Sequence, residues 1–117
     1  MPAPNLNLDV RGAGEGINII DISGEITGFA EDEISAAHDK ASAGPIKAVL
    51  LNFERLDYMN SGGIGLLVTT LIRAQRNGHM LLAYGLSSHY RQIFELTRLD
   101  EAIGIFDDEK EALESVS

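Results

Sequence analysis

The segment "IKAVLLNFERLDYMNSGGIGLLV" (Ile46–Val68) carries the strongest fold signal of this chain. Its first part, Ile46–Phe53, is almost entirely apolar, which is typical of a central strand covered on both faces. The loop "ERLDYMNSGG" separates this strand from a helix. Apolar residues recur there at i, i+3, i+4, i+7 and i+8, which predicts a buried stripe of Ile64, Leu67, Val68, Leu71 and Ile72. A buried strand, a loop and an amphipathic helix in this order predict one unit of a parallel sheet.

Similar patterns predict further elements on both sides of this unit. Alternating or β-branched runs predict strands at Leu6–Val10, Ile17–Ser23, His79–Gly85 and Ile103–Phe106, with a turn at Gly12–Gly16. Helical spacing predicts helices at Glu31–Ala43, Ser87–Leu99 and after a capping Asp107. The order β-β-α-β-α-β-α-β-α indicates an α/β fold, a central mixed and mostly parallel β-sheet flanked by helices. The 117 residues contain no repeat or linker, so we expect a single domain, 1–117, with a core at about residues 5–115.

Charge and composition argue against several classes of function. The formal net charge is −9, whereas nucleic acid and anionic membranes attract clustered Lys and Arg, so we expect neither as a partner. The chain has no cysteine, which excludes disulfides and thiolate metal sites, and a cytoplasmic location is the simplest interpretation. The acidic segments Glu31–Glu33 and Asp107–Glu114 are interpreted as solvated helix ends that the helix dipole favours. We therefore expect no metal and no cofactor.

The loop before the second helix resembles a nucleotide-binding loop only weakly. Gly63-Ile64-Gly65 supplies the first two glycines of a dinucleotide fingerprint, but Val68 occupies the third position. A phosphate-binding P-loop needs Gly-Lys-Ser/Thr, which does not occur in this chain. These motifs do not favour nucleotide binding.

A catalytic role for Ser61 is an alternative that the sequence also favours little. A nucleophile elbow needs glycine two residues before the serine, and Met59 stands there. A serine nucleophile also needs a base. The candidates are His38 in mid-helix, His79 at the start of a strand on the opposite edge of the sheet, and His89 in the first turn of a helix.

The segment "NSGG" is also a good helix start. Serine and asparagine are favoured N-caps, so we interpret Ser61 as the cap, and Gly62 and Gly63 as clearance for an approaching partner. The amides of residues 62–64 are expected to point outward at the positive end of the helix dipole. A phosphate on Ser61 would be tolerated there.

Four segments in this order carry a family resemblance: "ISGEI", "LLNFERLDYMNSGGIGLL", "NGHMLLAYG" and "IFELTRLDEAIGIFDDEKEAL". Together they resemble the STAS domain, in particular the stand-alone anti-sigma factor antagonists of bacteria. The resemblance implies partner switching, in which the unphosphorylated antagonist binds an anti-sigma factor that is also a serine kinase, and so releases a sigma factor. The kinase then phosphorylates a serine at the start of the second helix, which breaks the complex, and a serine phosphatase resets it. The matching position is Ser61.

The chain departs from the family pattern around this serine. Acidic residues are common in the family where Thr27, Asn52 and Asn60 stand here, so this is a neutral version of the phosphorylation site. Together with Gly62 and Gly63, these residues form the predicted surroundings of Ser61. An uncharged pocket also repels a phosphate less.

Residues near Ser61 are the predicted contacts of the anti-sigma factor: Tyr58, Met59, Leu66, Thr70 and Arg73. Phe29 is expected either to plug the core or to contact a partner. We expect a monomer or a weak homodimer. The alternatives are a STAS module that serves a signalling or transport assembly without being phosphorylated, and a small enzyme that uses Ser61.

Overall fold

The computed structural model describes residues 5–116, and the ends of the predicted domain, residues 1–4 and 117, lie outside it. The strands are β1 (Leu6–Gly14), β2 (Ile17–Ile26), β3 (Ala48–Met59), β4 (Met80–Tyr84) and β5 (Gly104–Phe106). The helices are α1 (Glu31–Ala41), α2 (Ser61–Asn77), α3 (Ser88–Leu96) and α4 (Glu109–Val116). Two single 3-10 turns, Gly28–Ala30 and Leu99–Glu101, join them. This order and the α/β class confirm the prediction.

The strands form one mixed sheet in the order β1-β2-β3-β4-β5, in which only the β1–β2 pair is antiparallel. Because side chains alternate along each strand, the sheet has two different faces. One face packs against α1, α2 and α3 and holds the larger core, which includes Leu51 and Phe53. The other face holds a smaller core around Leu50 and Tyr84, which Ala112 of α4 covers. Burial on both faces explains why the middle of β3 is apolar throughout.

Two strands are longer than the sequence predicts. β3 continues through the predicted loop, because Tyr58 and Met59 pair with Glu25 and Ile26 of β2. This pairing follows two shifts of register, which interrupt the alternation that would have marked a strand in the sequence. β1 likewise extends through the predicted turn, and Glu15–Gly16 alone form it.

The buried side of α2 differs from the predicted stripe. Val68 and Ile72 are 37% and 44% exposed, so the prediction that they are core residues is wrong. Thr70 is buried instead, and its hydroxyl donates to the carbonyl oxygen of Leu66 at 2.8 Å, which satisfies its polarity inside the protein. The buried positions of the helix are Gly63, Leu67, Thr70, Leu71 and Ala74.

The residues that cap or end three of the helices can be compared with the prediction. Ser87 caps α3 and Gly78 ends α2 with a φ of 78°, both as predicted. The cap of α4 is Asp108, whose carboxylate accepts from the amide of Glu111 at 2.9 Å. The prediction that Asp107 is this cap is therefore wrong by one residue.

Two buried histidines connect α1 to the start of β4. The Nε2 atoms of His38 and His79 are 3.2 Å apart, and the side chains are 1% and 7% exposed. A single hydrogen bond between two imidazoles needs one ring as donor and the other as acceptor. Burial lowers the pKa of both rings below the usual value, so the pair is neutral in the folded protein at pH 7.

This pair makes folding stability depend on pH. In the unfolded chain each imidazole titrates near a pKa of about 6.5, so below that pH the unfolded state binds more protons than the folded state. We expect the free energy of unfolding to fall as pH falls from 7.5 to 5.5, by at most about 1.4 kcal/mol per pH unit for each histidine. Urea unfolding followed by circular dichroism measures the slope. His79→Gln should reduce it, and the exposed His89→Gln should not; equal slopes in both variants would contradict the assignment.

Candidate functional site

Asn60, rather than Ser61, caps α2. The Asn60 side-chain oxygen accepts from the amide of Gly63 at 2.9 Å, and its backbone is extended. The backbone amide of Asn60 donates to the carbonyl oxygen of Ile26 at 3.2 Å, and this bond joins the start of the helix to the end of β2. Ser61 is the first helical residue, so the prediction that it is the cap is wrong. Its hydroxyl is thereby left out of the capping interaction.

The two glycines bring the helix against the chain's own backbone. A Cβ on Gly62 would lie 2.9 Å from the amide nitrogen of Gly28. A Cβ on Gly63 would overlap the carbonyl oxygen of Ile26 and lie 2.9 Å from Cγ of Met59. Real Cβ atoms do not come so close to a backbone. The glycines are therefore clearance for this contact inside the domain, and the prediction that they give clearance to a partner is corrected.

Ser61 is exposed at this tight junction. The amide of Ile64 begins the helical ladder by donating to the carbonyl oxygen of Asn60 at 3.0 Å, and that of Gly63 is taken by the cap. In this first turn only the amides of Ser61 and Gly62 then have no acceptor in the helix or its cap. The prediction that the amides of residues 62–64 are free is therefore wrong for Gly63 and Ile64. The site thus combines an exposed hydroxyl with two polar N–H groups at the positive end of a 17-residue helix.

The other predicted surroundings of Ser61 divide between two places. Thr27 belongs to the neighbouring 3-10 turn, where its hydroxyl accepts from the amide of Phe29 at 3.3 Å. Asn52 lies on the opposite face of the sheet from α2, in register with Asp21 and Tyr84. Its amide donates to Asp21 at 2.7 Å, so including Asn52 in the Ser61 environment is wrong. The alternation of side chains along β3 separates it from Ser61.

Two of the predicted partner contacts are in the core. Met59 is 3% exposed, and its backbone amide donates to the hydroxyl of Tyr90 at 2.8 Å inside the protein. Thr70 is 4% exposed. Neither side chain can reach a partner, which corrects both predictions. Tyr58 is exposed, and Arg73 is half-buried, with its guanidinium bonded to the hydroxyl of Ser35.

Three of the exposed apolar side chains lie on α2 or on the 3-10 turn that contacts it. Phe29 is 83% exposed on the turn that touches Gly62, which excludes its role as a core plug. Val68 and Ile72 are exposed on α2. Ser61, Gly65, Val68 and Ile72 follow one another at i, i+4, i+7 and i+11, so they lie along one side of the helix. We call Ser61, Gly65, Val68 and Ile72 the α2 stripe. Its helical period was visible in the sequence, but its exposure was not.

A charged cluster on the opposite face holds α4 in place. Arg11 of β1 donates to Asp21 at 2.6 Å and to Glu109 of α4 at 2.5 Å, and the Tyr84 hydroxyl donates to Glu109 at 3.0 Å. The hydrogen bonds from Arg11 lower the pKa of both carboxyl groups. Burial and the nearby Glu109 raise the pKa of Tyr84. Each of these four side chains is hydrogen-bonded to at least one of the others, so the cluster is structural.

The three histidines have other contacts in the described part of the chain, residues 5–116. His38 and His79 bond to each other inside the protein, and the ring of His89 packs on Tyr90 with centroids 4.9 Å apart. Within residues 5–116, no histidine has a hydrogen bond to Ser61. None of the helices in this part of the chain is long and apolar enough to cross a membrane.

A mixed five-stranded sheet with helices on both faces, and an exposed serine at the start of the second helix, define a class of small α/β domains. The family model of the STAS domain matches residues 11–112. The chain belongs to the STAS domain family.

Named relatives agree with this assignment. The chain is 26% identical over 86 residues to the anti-sigma-B factor antagonist of Staphylococcus aureus (strain NCTC 8325 / PS 47), covering 74% of this chain and 80% of that protein. Its fold is similar to the Bacillus cell fate determinant SpoIIAA in the phosphorylated form, with a TM-score of 0.72, 23% identity and coverage of 95% and 100%. It is also similar to a sulfate transporter family protein from Wolinella succinogenes, with a TM-score of 0.77, 22% identity and coverage of 91% and 88%.

The glycine contact can be tested with a matched pair of substitutions. Gly63→Ala forces a methyl group into the backbone of Ile26, so we expect a loss of about 1–3 kcal/mol in the free energy of unfolding. Gly65→Ala meets nothing within 4 Å, so it should stabilise the helix by about 0.5–1 kcal/mol. Chemical denaturation of both variants measures the difference, and equal stabilities would contradict the close approach.

Proposed function

We propose that this protein is an anti-sigma factor antagonist that acts in the cytoplasm, and that Ser61 is its phosphorylation site. It binds an anti-sigma factor that is also a serine kinase, and a serine phosphatase reverses the modification. The supporting observation is the exposed hydroxyl of Ser61, free of the cap that Asn60 provides. The similarity to an anti-sigma-B factor antagonist supports the partner class. The existence of SpoIIAA in a phosphorylated form supports the modification.

The local electrostatics favour a phosphate at this position. A phosphoserine carries about −1.5 to −2 charges, and its oxygens accept strong hydrogen bonds. The amides of Ser61 and Gly62 and the helix dipole would meet those oxygens. The neighbours Thr27 and Asn60 are uncharged, so neither opposes the phosphate. Phosphorylation then leaves the fold intact and acts on the partner through added charge and bulk.

The surface around Ser61 provides the binding site for the anti-sigma factor. The α2 stripe runs away from Ser61 and includes the exposed Val68 and Ile72. Phe29 and Tyr58 are exposed on the β2–α1 turn and at the end of β3, and these two segments adjoin the start of α2. A partner seated on these apolar groups would have Ser61 at its margin, and a phosphate there would be forced against it. Leu66 and Arg73 remain proposed contacts, whereas Val68 and Ile72 replace Met59 and Thr70.

A STAS module that is not phosphorylated is the second candidate. Its support is the fold similarity to a sulfate transporter family protein and the absence of acidic residues at Thr27 and Asn60. Such a module would use the same apolar surface without a switch. Phosphorylation of Ser61 separates the two functions.

Incubation with the anti-sigma factor kinase of the same organism and ATP tests the modification. We expect one phosphate on the wild-type chain and none on Ser61→Ala, measured by intact-mass spectrometry. Ser88→Ala is the matched control, because Ser88 is also an exposed serine directly after a capping residue, Ser87. It should be phosphorylated like wild type. An unmodified wild-type chain that still binds the kinase would favour the scaffold, and phosphate on Ser61→Ala would place the site elsewhere.

Substitutions on the α2 stripe test the binding surface. Val68→Asp and Ile72→Asp introduce a charge into the proposed apolar contact, so we expect each to weaken binding of the anti-sigma factor at least about tenfold, or 1.4 kcal/mol. Calorimetric titration measures the affinity. Gln92→Asp adds the same charge at an exposed position on α3, away from the stripe, so it is the control and should bind like wild type. Unchanged affinity in both stripe variants would show that the binding surface for the anti-sigma factor does not include the α2 stripe.

A further inference from the structure

Within residues 5–116, β1 is a long edge strand with no strand paired to its outer side. The sheet begins with β1 and ends with β5, which has only three residues, whereas β1 has nine. Natural proteins protect such edges with proline, lysine or very short strands. The segment "LNLDVRGAG" contains neither proline nor lysine. The part of this edge before the irregularity at Gly12 and Gly14 is a template for another strand.

The hydrogen-bond pattern shows which residues of β1 face outward. The amide of Glu25 donates to the carbonyl oxygen of Asn5 at 2.8 Å, so the pair Asn5 and Glu25 exchanges bonds between the strands. In an antiparallel ladder such pairs alternate with non-bonded ones. Asp9 and Arg11 therefore direct their backbone groups toward β2. The even-numbered residues, Leu6, Leu8, Val10 and Gly12, present theirs to the free edge.

The charges on β1 are arranged symmetrically about Val10. Asp9 precedes it and Arg11 follows it, both on the face of the sheet that α4 covers. Asp9 stands directly opposite Asp21 in the β1–β2 register, so two carboxylates face each other across this pair. Arg11 bonds to Asp21, and within residues 5–116 Asp9 has no ion pair. In this described part of the chain Asp9 thus has a like-charged neighbour and no ion-pair partner.

We infer that the β1 edge is a self-association surface, on which β1 of a second copy of this chain pairs antiparallel about a two-fold axis at Val10. In this register Asp9 of each copy faces Arg11 of the other, and the side chains at such non-bonded positions are closest. Val10 faces Val10 of the second copy, and these two residues exchange backbone hydrogen bonds through their outward N–H and C=O groups. Leu8 faces Gly12, which has no side chain to obstruct it.

Charge selects this register among those that the backbone allows. A symmetric antiparallel ladder can be centred on an outward residue or on an inward one. Centring on Asp9 or on Arg11 would place each of these charges opposite its own equivalent, which is destabilising. Centring on Leu8 would place Asp9 opposite Asn7, and centring on Gly12 would place Arg11 opposite Ala13. Only the Val10 centre pairs opposite charges. The irregularity between Gly12 and Gly14 limits the pairing to the first part of the strand.

The groove between β1 and α1 adds apolar contact to this pairing. Its apolar lining is half-buried Leu6, Leu8 and Val10 with Ala36 and Ala37 of α1, and its polar lining is Asn7, Asp9, Glu33 and Lys40. A two-fold axis perpendicular to the sheet keeps both α1 helices on the same side, so the grooves of the two copies join. α1 packs on β1 and β2, whereas α2 with Ser61 packs on β2, β3 and β4. The inference is therefore independent of the function proposed for Ser61.

Charge reversal tests the pairing in solution. Sedimentation equilibrium of the wild-type chain should show a concentration-dependent dimer. Asp9→Arg places two arginines opposite each other at both ends, so the dissociation constant should rise at least about tenfold. The control Glu95→Arg changes the net charge equally at an exposed position on α3 and should not weaken the dimer. Because the chain carries −9, a general charge effect would strengthen association in both variants.

Two further measurements test the pairing even if one of the charge variants does not fold. An equimolar mixture of Asp9→Arg and Arg11→Asp restores both ion pairs, so it should dimerise although each variant alone does not. Val10→Pro removes an outward N–H without breaking the β1–β2 ladder, so it should abolish the dimer if Arg11→Asp fails to fold. Circular dichroism confirms the fold of each variant. A wild-type chain that stays monomeric, or equal dissociation constants for Asp9→Arg and Glu95→Arg, would overturn the inference.

Discussion

The contact between the first turn of α2 and the end of β2 leaves no room for side chains, and the geometry of the candidate site depends on it. Gly62 meets Gly28, and Gly63 meets the carbonyl oxygen of Ile26. Because backbone touches backbone, the rotation of α2 is set at its first turn. This rotation directs Gly63, Thr70 and Ala74 toward the sheet and leaves Ser61, Val68 and Ile72 outside. A single steric constraint therefore exposes both the serine and the apolar stripe beside it.

The use of asparagine as the cap separates two tasks that one residue cannot perform together. A capping side chain holds a backbone amide, and modification of its oxygen would cost that hydrogen bond, typically about 1 kcal/mol of stability. Asn60 takes the capping role without adding charge. Ser61 is then free to react, and the helix dipole acts on whatever its hydroxyl carries. A phosphate on Ser61 would not disturb this cap, so the switch proposed for the protein would act through the fit of its partner.

Much of the fold was predictable from the sequence because apolar alternation and helical spacing are direct consequences of burial. The order of elements and the mixed sheet follow from those patterns. The sequence could not show which side of α2 faces the sheet, because Val68 and Ile72 extend the same apolar period as Leu67 and Leu71. Small residues at closest approach, Gly63 and Ala74, decide the rotation instead.

The candidate site was predictable as a location and less so in its details. Asn60 and Ser61 are both good caps, and only the backbone geometry distinguishes them. Asn52 follows the apolar part of β3 closely in sequence, yet strand alternation puts it on the far face with Asp21. Met59 was predicted to lie in a loop, but it is buried because β3 extends beyond the apolar run, through register shifts that have no clear sequence pattern.

Arg11 connects the smaller core to the edge of the sheet. A guanidinium has five N–H donors, and those on Nε and Nη2 bond to Asp21, Tyr84 and Glu109. Nη1 takes part in none of these bonds. The intramolecular bonds hold the side chain in one orientation, so much of its conformational entropy is already lost before a second strand arrives. An arginine fixed in this way gives more stabilisation to a facing Asp9 than a mobile surface arginine would, because the usual cost of ordering a surface ion pair is smaller.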